Sequence, residues 1–270
     1  MTPACELSDL QQFRISSLPP DFYYIPNFLS VEEEASILQK IPAQRWVTLF
    51  RRRLQAHPST LTKNNTLLGS PLPSYLVKPV VDRFEALQIF SHTPHKQPNH
   101  VLINEYKEGE GIMSHEDGNA YASVVATVSL GASICLEVAH KPAAMDREVS
   151  QQNAQTAGDS KLARDEVDRA GSESTISQYA VPARILQEPR SLLITTGPAY
   201  RDLLHGIDSV KVDEDLNPST VANWDLLGDS TAFEKAGGRN ERGTRISLTY
   251  RDVLKVSSAA SKVLGGLGTR

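Results

Sequence analysis

The sequence has only two cysteines in 270 residues, Cys5 and Cys135. That excludes a disulfide framework and a multi-cysteine zinc site, and it suits a reducing compartment. Basic residues are not in excess: 28 Lys and Arg stand against 32 Asp and Glu, a net charge of −4. A wholly basic, histone-like binder of nucleic acid is excluded, whereas a local basic patch is not. Long apolar runs are missing as well. The longest uncharged run, Gly118 to Leu136, carries Asn119, Ser123, Thr127, Ser129, Gly131 and Ser133. It is too polar for lipid and reads as two strands around a glycine turn. The first residues are neither basic nor followed by an apolar stretch, so no secretory signal is expected. No internal repeat, Gly-x-Ser-x-Gly or Ser-His-Asp setting is visible. A soluble protein of the cytoplasm, the nucleus or both is expected, as a monomer and away from membranes.

What is present is enough for a sizeable core, since 40% of residues are hydrophobic. The length allows one large β domain or two domains. Ser30 with Glu33 three residues on reads as a capping box, with Glu32, Glu33 and Glu34 in the first helical turn. Ile37, Leu38 and Ile41 form the apolar stripe of that helix, and Pro42 stops it. A second helix is predicted over Pro79 to Leu87. From residue 99 the period changes to short alternating segments at 101–106, 112–117, 123–129, 133–138, 191–196 and 245–250. Helices followed by many short strands predict an α+β chain dominated by β, with a sandwich or jelly-roll core. Residues 141–180 are polar and read as a disordered or partly helical insertion within the sheet. Residues 257–270 read as a flexible tail.

His115-Glu116-Asp117 is the first chemical signal. In a strand, positions i and i+2 share a face, so an imidazole and a carboxylate would stand side by side. Two histidines and one carboxylate form the facial set of non-haem Fe(II) oxygenases. The pair alone is also what a chance surface dipeptide looks like, so a third ligand is required. His205, in the apolar stretch Leu203-Leu-His-Gly-Ile207, is the candidate, against the alternative of a satisfied core histidine. Arg245-Ile-Ser-Leu-Thr-Tyr-Arg251 places Arg245, Ser247, Thr249 and Arg251 on one face of a strand. A buried arginine needs an anion, and an organic diacid would supply one bidentately; a solvated polar face is the alternative. Asn104 and Tyr106 share a face just before a Gly-rich hairpin turn. Arg45, Arg51, Arg52 and Arg53 lie beside Trp46 and Phe50, a composition suited to a nucleic-acid backbone and stacked bases, or to a solvated face. His57 and His140 read as surface loop residues, and Cys135 as a small core hydrophobe. His92, His95 and His100 are not read as an accessory metal site.

Together, Asn-x-Tyr, His-x-Asp, a distal His and Arg-x-Ser-x-Thr-x-Arg resemble the AlkB-type Fe(II)/2-oxoglutarate dioxygenases, over about Asp21 to Val253. Within that family the branch of the sixth mammalian AlkB paralogue is the most similar, through Phe28-Leu29-Ser30, Arg52-Arg53-Leu54-Gln55, Asn99 to Leu102, Gly109 to Gly118, Ser129 to Gly131 and Gly197 to Ile207. The resemblance implies a double-stranded β-helix (jelly-roll) core over 99–256, interrupted at 141–180, with N-terminal helices packed on it and substrate-covering loops within 1–98. It implies Fe(II), 2-oxoglutarate and O2, with His115, Asp117 and His205 as metal ligands. It assigns Arg245 to the distal carboxylate of the keto acid, Asn104, Tyr106 and Ser247 to further cosubstrate contacts, and Arg251 to the iron-side carboxylate and Asp117. Arg52, Arg53, Gln55 and Tyr121 fall where the family meets its substrate. That substrate is implied to be alkylated DNA or RNA, reached through Arg51 to Arg53, or an N-methylated protein, and the reaction oxidative demethylation. The branch continues Arg-Arg-Leu-Gln with Asn-Trp-Gly-Gly, whereas this chain has Ala56-His57-Pro58-Ser59. The alternative expectation is a nucleic-acid-binding module that keeps the fold with little turnover.

Overall fold

Alternation of apolar and polar residues produces strands that pair into two facing antiparallel sheets. In the computed structural model, which describes residues 10–141 and 181–257, the larger sheet has seven strands. Its order is β1 (Phe22–Ile25), β10 (Leu192–Thr196), β7 (Tyr121–Gly131), β14 (Arg245–Val253), β5 (His100–Tyr106), β3 (Arg52–His57) and β2 (Val47–Leu49). The smaller sheet has the order β6 (Ile112–His115), β11 (Leu203–Ile207), β8 (Ile134–His140) and β9 (Ala183–Gln187). Two small ladders pair β12 (Val212–Asp213) with β13 (Asn240–Glu241), and β4 (Thr66–Leu68) with β15 (Lys255–Ser257). From β5 to β8 the chain alternates between the two large sheets, and it does so again from β9 to β11 before returning at β14. The result is the expected jelly roll. The 1–98 region, expected to hold helices and substrate-covering loops, also supplies three strands, β1, β2 and β3, to the larger sheet. The expected insertion beyond Lys141 and the tail beyond Ser257 lie outside the described residues.

Strand alternation gives the larger sheet two different faces. One carries Val101, Ile103, Ala126, Val128, Leu130, Leu192, Ile194, Leu248 and Tyr250, and packs against Ile37 of α1 (Val31–Lys40), Leu76 of α2 (Ser74–Val77) and Phe84 of α3 (Val80–Ala86). The α1 start carries the expected reciprocal cap: Ser30 Oγ accepts from Glu33 N, and Glu33 accepts from Ser30 N. The other face looks at the smaller sheet, with Phe22, Tyr24, Tyr106 and Leu193 meeting Ile134, Leu136, Val138, Leu203 and Ile207.

His57 is not a surface loop residue. It lies on β3, is fully buried, and receives a 3.0 Å contact from Arg45 at Nδ1. Burial, then the charge of Arg45, pushes its pKa down to about 4. Burial, then the charge of Arg251, does the same to His100. An unfolded histidine titrates near ~6.5, so between about pH 6.5 and 4 the unfolded chain binds the extra protons. Stability is therefore expected to be full above about pH 6.5. It falls on acidification, with a slope approaching about 1.4 kcal/mol per pH unit for each histidine. Urea unfolding at pH 7, 6 and 5 checks this. A flat profile over that range, where most carboxylates are still charged, would contradict it.

Candidate active site

The three residues of the candidate metal set come together at one end of the smaller sheet. β6 and β11 are antiparallel neighbours, and His115 stands opposite His205 in their register. The two imidazole rings are 4.5 Å apart between centroids. Asp117 follows two residues after His115, just past the end of β6. The candidate ligand atoms of His115, Asp117 and His205 all lie within 4.8 Å of one another. The close approach of the two strands depends on Gly206, where a Cβ would lie 2.9 Å from Ser114 N. Any side chain there would push β11, and His205 with it, away from β6.

Protonation suits metal binding. His115 donates from Nδ1 to the Met113 carbonyl at 2.9 Å, which leaves Nε2 as the candidate ligand atom. Burial pushes His205 down to about 4, so its imidazole is neutral near pH 7. For Asp117, burial works upward, but the charge of Arg251 and the two histidines hold its carboxyl below the usual range. Arg251 donates from Nη2 to Asp117 Oδ1, and the two side chains are only 8% and 5% exposed. Asp117 Oδ2 is buried and has no protein partner. Two imidazoles and an ionised carboxylate with one orphaned oxygen fit a divalent iron.

A cavity of about 270 Å³ opens beside this set, between the two sheets. Arg245, Ser247, Thr249 and Arg251 line it from β14, Asn104 and Tyr106 from β5, Arg52 from β3, and Tyr121 from β7. Asn104 Oδ1 accepts from Arg52 Nε at 3.2 Å. The register explains this grouping: Arg245 stands opposite Tyr106 and Ser247 opposite Asn104, so all point to the same side of the sheet. Arg245 is 2% exposed, yet no carboxylate partners it among the described residues. Its donors reach Ser129 Oγ at 2.8 Å and Gln187 Oε1 at 3.0 Å, both neutral. Burial lowers its pKa to about 10, and Tyr106 opposes that shift. A guanidinium buried among neutral acceptors is a seat for a carboxylate.

Two of the expected substrate residues do not join the cavity. Arg53 and Gln55 sit one residue out of phase with Arg52 on β3, so they point to the helix-covered face of the sheet. Arg53 pairs with Glu105 at 2.6 Å and stacks over Trp46 at 4.5 Å. Gln55 is 1% exposed, donating to the Pro42 carbonyl at 2.9 Å and contacting His57 at 3.2 Å. Their motif, Arg-Arg-Leu-Gln, did not distinguish faces; strand period did. Conversely, Gln187 and Tyr200 line the cavity without having been singled out. Ser129 and Tyr200 stood in segments already similar to the family. Gln187 follows the polar insertion, and no sequence signal marked it.

Comparison with known proteins places these observations. The family model described as the 2OG-Fe(II) oxygenase superfamily matches residues 21–251. The zebrafish (Danio rerio) protein named "Probable RNA/DNA demethylase ALKBH6" is 34% identical over 254 residues, 93% of each chain. The mouse (Mus musculus) "tRNA (carboxymethyluridine(34)-5-O)-methyltransferase ALKBH8" is 22% identical, over 93% of this chain and 33% of its own length. The solved structure of OsALKBH1 overlaps 87% of this chain and 98% of its own, at 15% identity and a TM-score of 0.47.

Proposed function

Because the chain belongs to the 2OG-Fe(II) oxygenase superfamily, and is thus a 2-oxoglutarate-dependent dioxygenase using Fe(II) and O2, we propose that it is an oxidative demethylase of alkylated nucleic acid. The observation that carries this is one cavity with His115, Asp117 and His205 on one side and the carboxylate-free, buried Arg245 on the other. Membership of this superfamily and a complete candidate metal set do not favour the alternative of a binding module with little turnover. The nucleic-acid substrate is supported by the names of the relatives, zebrafish RNA/DNA demethylase and mouse tRNA-modifying enzyme. Among the described residues no helix is long and apolar enough to cross a membrane.

In this reading His115, Asp117 and His205 hold the metal. Arg245 holds the distal carboxylate of 2-oxoglutarate, and Asn104, Tyr106 and Ser247 contact the same molecule. Fixing the far end leaves the keto acid one orientation in which to reach the metal. Arg251 holds Asp117 ionised and aimed. When bound, Fe(II) with the keto acid and O2 supplies an oxidant that hydroxylates a substrate C–H bond as 2-oxoglutarate is decarboxylated to succinate. Arg52 and Tyr121 border the space left for the substrate. A hydroxylated N-methyl group releases formaldehyde.

The test incubates the protein with Fe(II), 2-oxoglutarate, air and N-methylated RNA, DNA or peptide, and quantifies succinate and formaldehyde. Formaldehyde from a nucleic acid, matched by succinate, is expected. Formaldehyde from the peptide alone would move the substrate class to protein. Binding should also depend on salt. Arg51 lies at the exposed β2–β3 tip beside Phe50, which is 93% exposed, and donates to Ser209 at 2.7 Å. Arg51→Ala and Arg52→Ala are each expected to reduce the slope of log K against log salt by about 1. Arg53→Ala should change it less, because Arg53 is tied to Glu105. Equal slopes in all three variants and wild type would remove this patch from the substrate path.

A further inference from the structure

Two buried polar atoms close to the metal set have no partner, and they are complementary. Arg251 Nε is a donor, and it is unpaired. His100 Nδ1 is also unpaired, on a side chain that is 3% exposed. The other ring nitrogen of His100, Nε2, meets the Ser59 carbonyl at 3.2 Å. A carbonyl only accepts, so Nε2 carries the proton and Nδ1 presents a lone pair. His100 and Arg251 stand directly opposite each other on β5 and β14, and their side chains share the cavity-side face. Tyr121 completes the group: Arg251 lies over its ring at 5.0 Å, and the His100 ring is 6.1 Å from it. Ser59 belongs to the Ala56-His57-Pro58-Ser59 segment, where this chain departs from the family branch it resembles.

We infer that His100 is a positioning residue for the metal centre: its Nδ1 accepts from Arg251 Nε through one bridging water, holding the guanidinium on Asp117. An unpaired donor and an unpaired acceptor on directly opposed residues are the groups an ordered water joins. The chain of contacts runs from the Ser59 carbonyl through His100 to Arg251, Asp117 and the metal. Only a neutral imidazole serves, because a protonated one has no acceptor and would repel Arg251. Burial, then the charge of Arg251, favours the neutral form. His100 lies outside the candidate metal set and does not line the cavity. The segment after Gln55 thus gains a role: it sets the tautomer of His100 rather than meeting the substrate itself.

The inference rests on the reading of His115, Asp117 and His205 as metal ligands, and the test separates the two. Mn(II) binding to the full chain is followed by electron paramagnetic resonance for wild type, His115→Ala and three His100 variants. His100→Asn keeps an acceptor near Nδ1 but not the reach to Ser59. His100→Gln keeps the reach to Ser59 but not the acceptor. His100→Phe keeps the ring against Tyr121 and loses both. Removing a supporting contact of a metal ligand costs on the order of 10-fold to 100-fold in affinity. Binding is expected to weaken about 10-fold in the Gln and Phe variants and to stay within about 3-fold of wild type in the Asn variant. Affinity retained in Gln and lost in Asn would overturn the inference and leave a structural tether to Ser59. Wild-type affinity in both would overturn it as well. If the Phe variant does not fold, the Asn and Gln pair decides alone. Wild-type binding that His115→Ala leaves untouched would instead sink the metal reading, and this inference with it.

Discussion

Arg245→Met is expected to raise the KM for 2-oxoglutarate by two to three orders of magnitude while leaving the protein without cosubstrate as stable as before, or more so. Arg245 is 2% exposed and its partners, Ser129 and Gln187, are neutral. A buried charge without a counter-ion is a burden on the fold, and a well-packed apolar residue of similar length relieves it. Ser129 and Gln187 would keep each other, since Ser129 Oγ donates to Gln187 Oε1 at 3.1 Å. With a dicarboxylate present the balance reverses. Losing one member of a buried, hydrogen-bonded ion pair costs about 3–5 kcal/mol, and each 1.4 kcal/mol is tenfold in affinity. The wild type should gain about 2.7 kcal/mol of stability at 2-oxoglutarate one hundred times above its dissociation constant, and the variant essentially none. Thermal unfolding with and without 2-oxoglutarate, beside the KM, checks both halves. A variant with near-wild-type KM would remove Arg245 from cosubstrate binding.

Two of the metal-set residues should fail in different ways. Both Asp117→Ala and His205→Ala are expected to lower succinate formation by more than the roughly 100-fold that loss of a supporting contact can reach. Stability separates them. Asp117 is the anion for Arg251, and both side chains are almost fully buried. Its removal strands a guanidinium among aromatic neighbours, with an expected cost of about 3–5 kcal/mol. His205 is neutral. It forms no ion pair among the described residues. Its truncation should cost mainly packing, on the order of 1–2 kcal/mol. Restoring Asp117→Ala with a second change, Arg251→Met, should recover much of the stability and none of the turnover. Equal destabilisation by the two single substitutions would mean that Arg251 finds another anion.

Much of this site was legible in the residues alone. His115 and Asp117 are two positions apart, and Arg245, Ser247 and Arg251 follow a period of two. In extended chain those intervals state which side chains can share a face, and Asp117 keeps its place beside His115 although β6 ends two residues before it. The α1 cap was equally local, because Ser30 and Glu33 need only each other. Strand period also carries the limit of the reading. Arg52 and Arg53 are adjacent and chemically alike, yet one lines the cavity and the other is tied to Glu105 on the far face. Which of two neighbours faces inward depends on the partner strand, and β5 settles it by placing Arg53 opposite Glu105 and Leu54 opposite Asn104.

Composition and spacing determined, without coordinates, that the chain has a β-rich core, that it lacks the cysteines for a disulfide or cysteine-zinc scaffold, and that His115 can pair with Asp117, and Arg245 with Ser247 and Arg251, on one strand face; the resemblance to a family supplied their roles. Each of these depends on residue type and on intervals short enough for backbone geometry to transmit. Tertiary structure alone decided that His205, far along the chain, stands opposite His115. It alone showed that Gln187 and Ser129 are the neutral partners of Arg245, that Gln55 and His57 are buried on the opposite face, and that the Ser59 carbonyl meets His100. Those contacts join segments separated by whole strands, and no local interval records which strand will lie beside which.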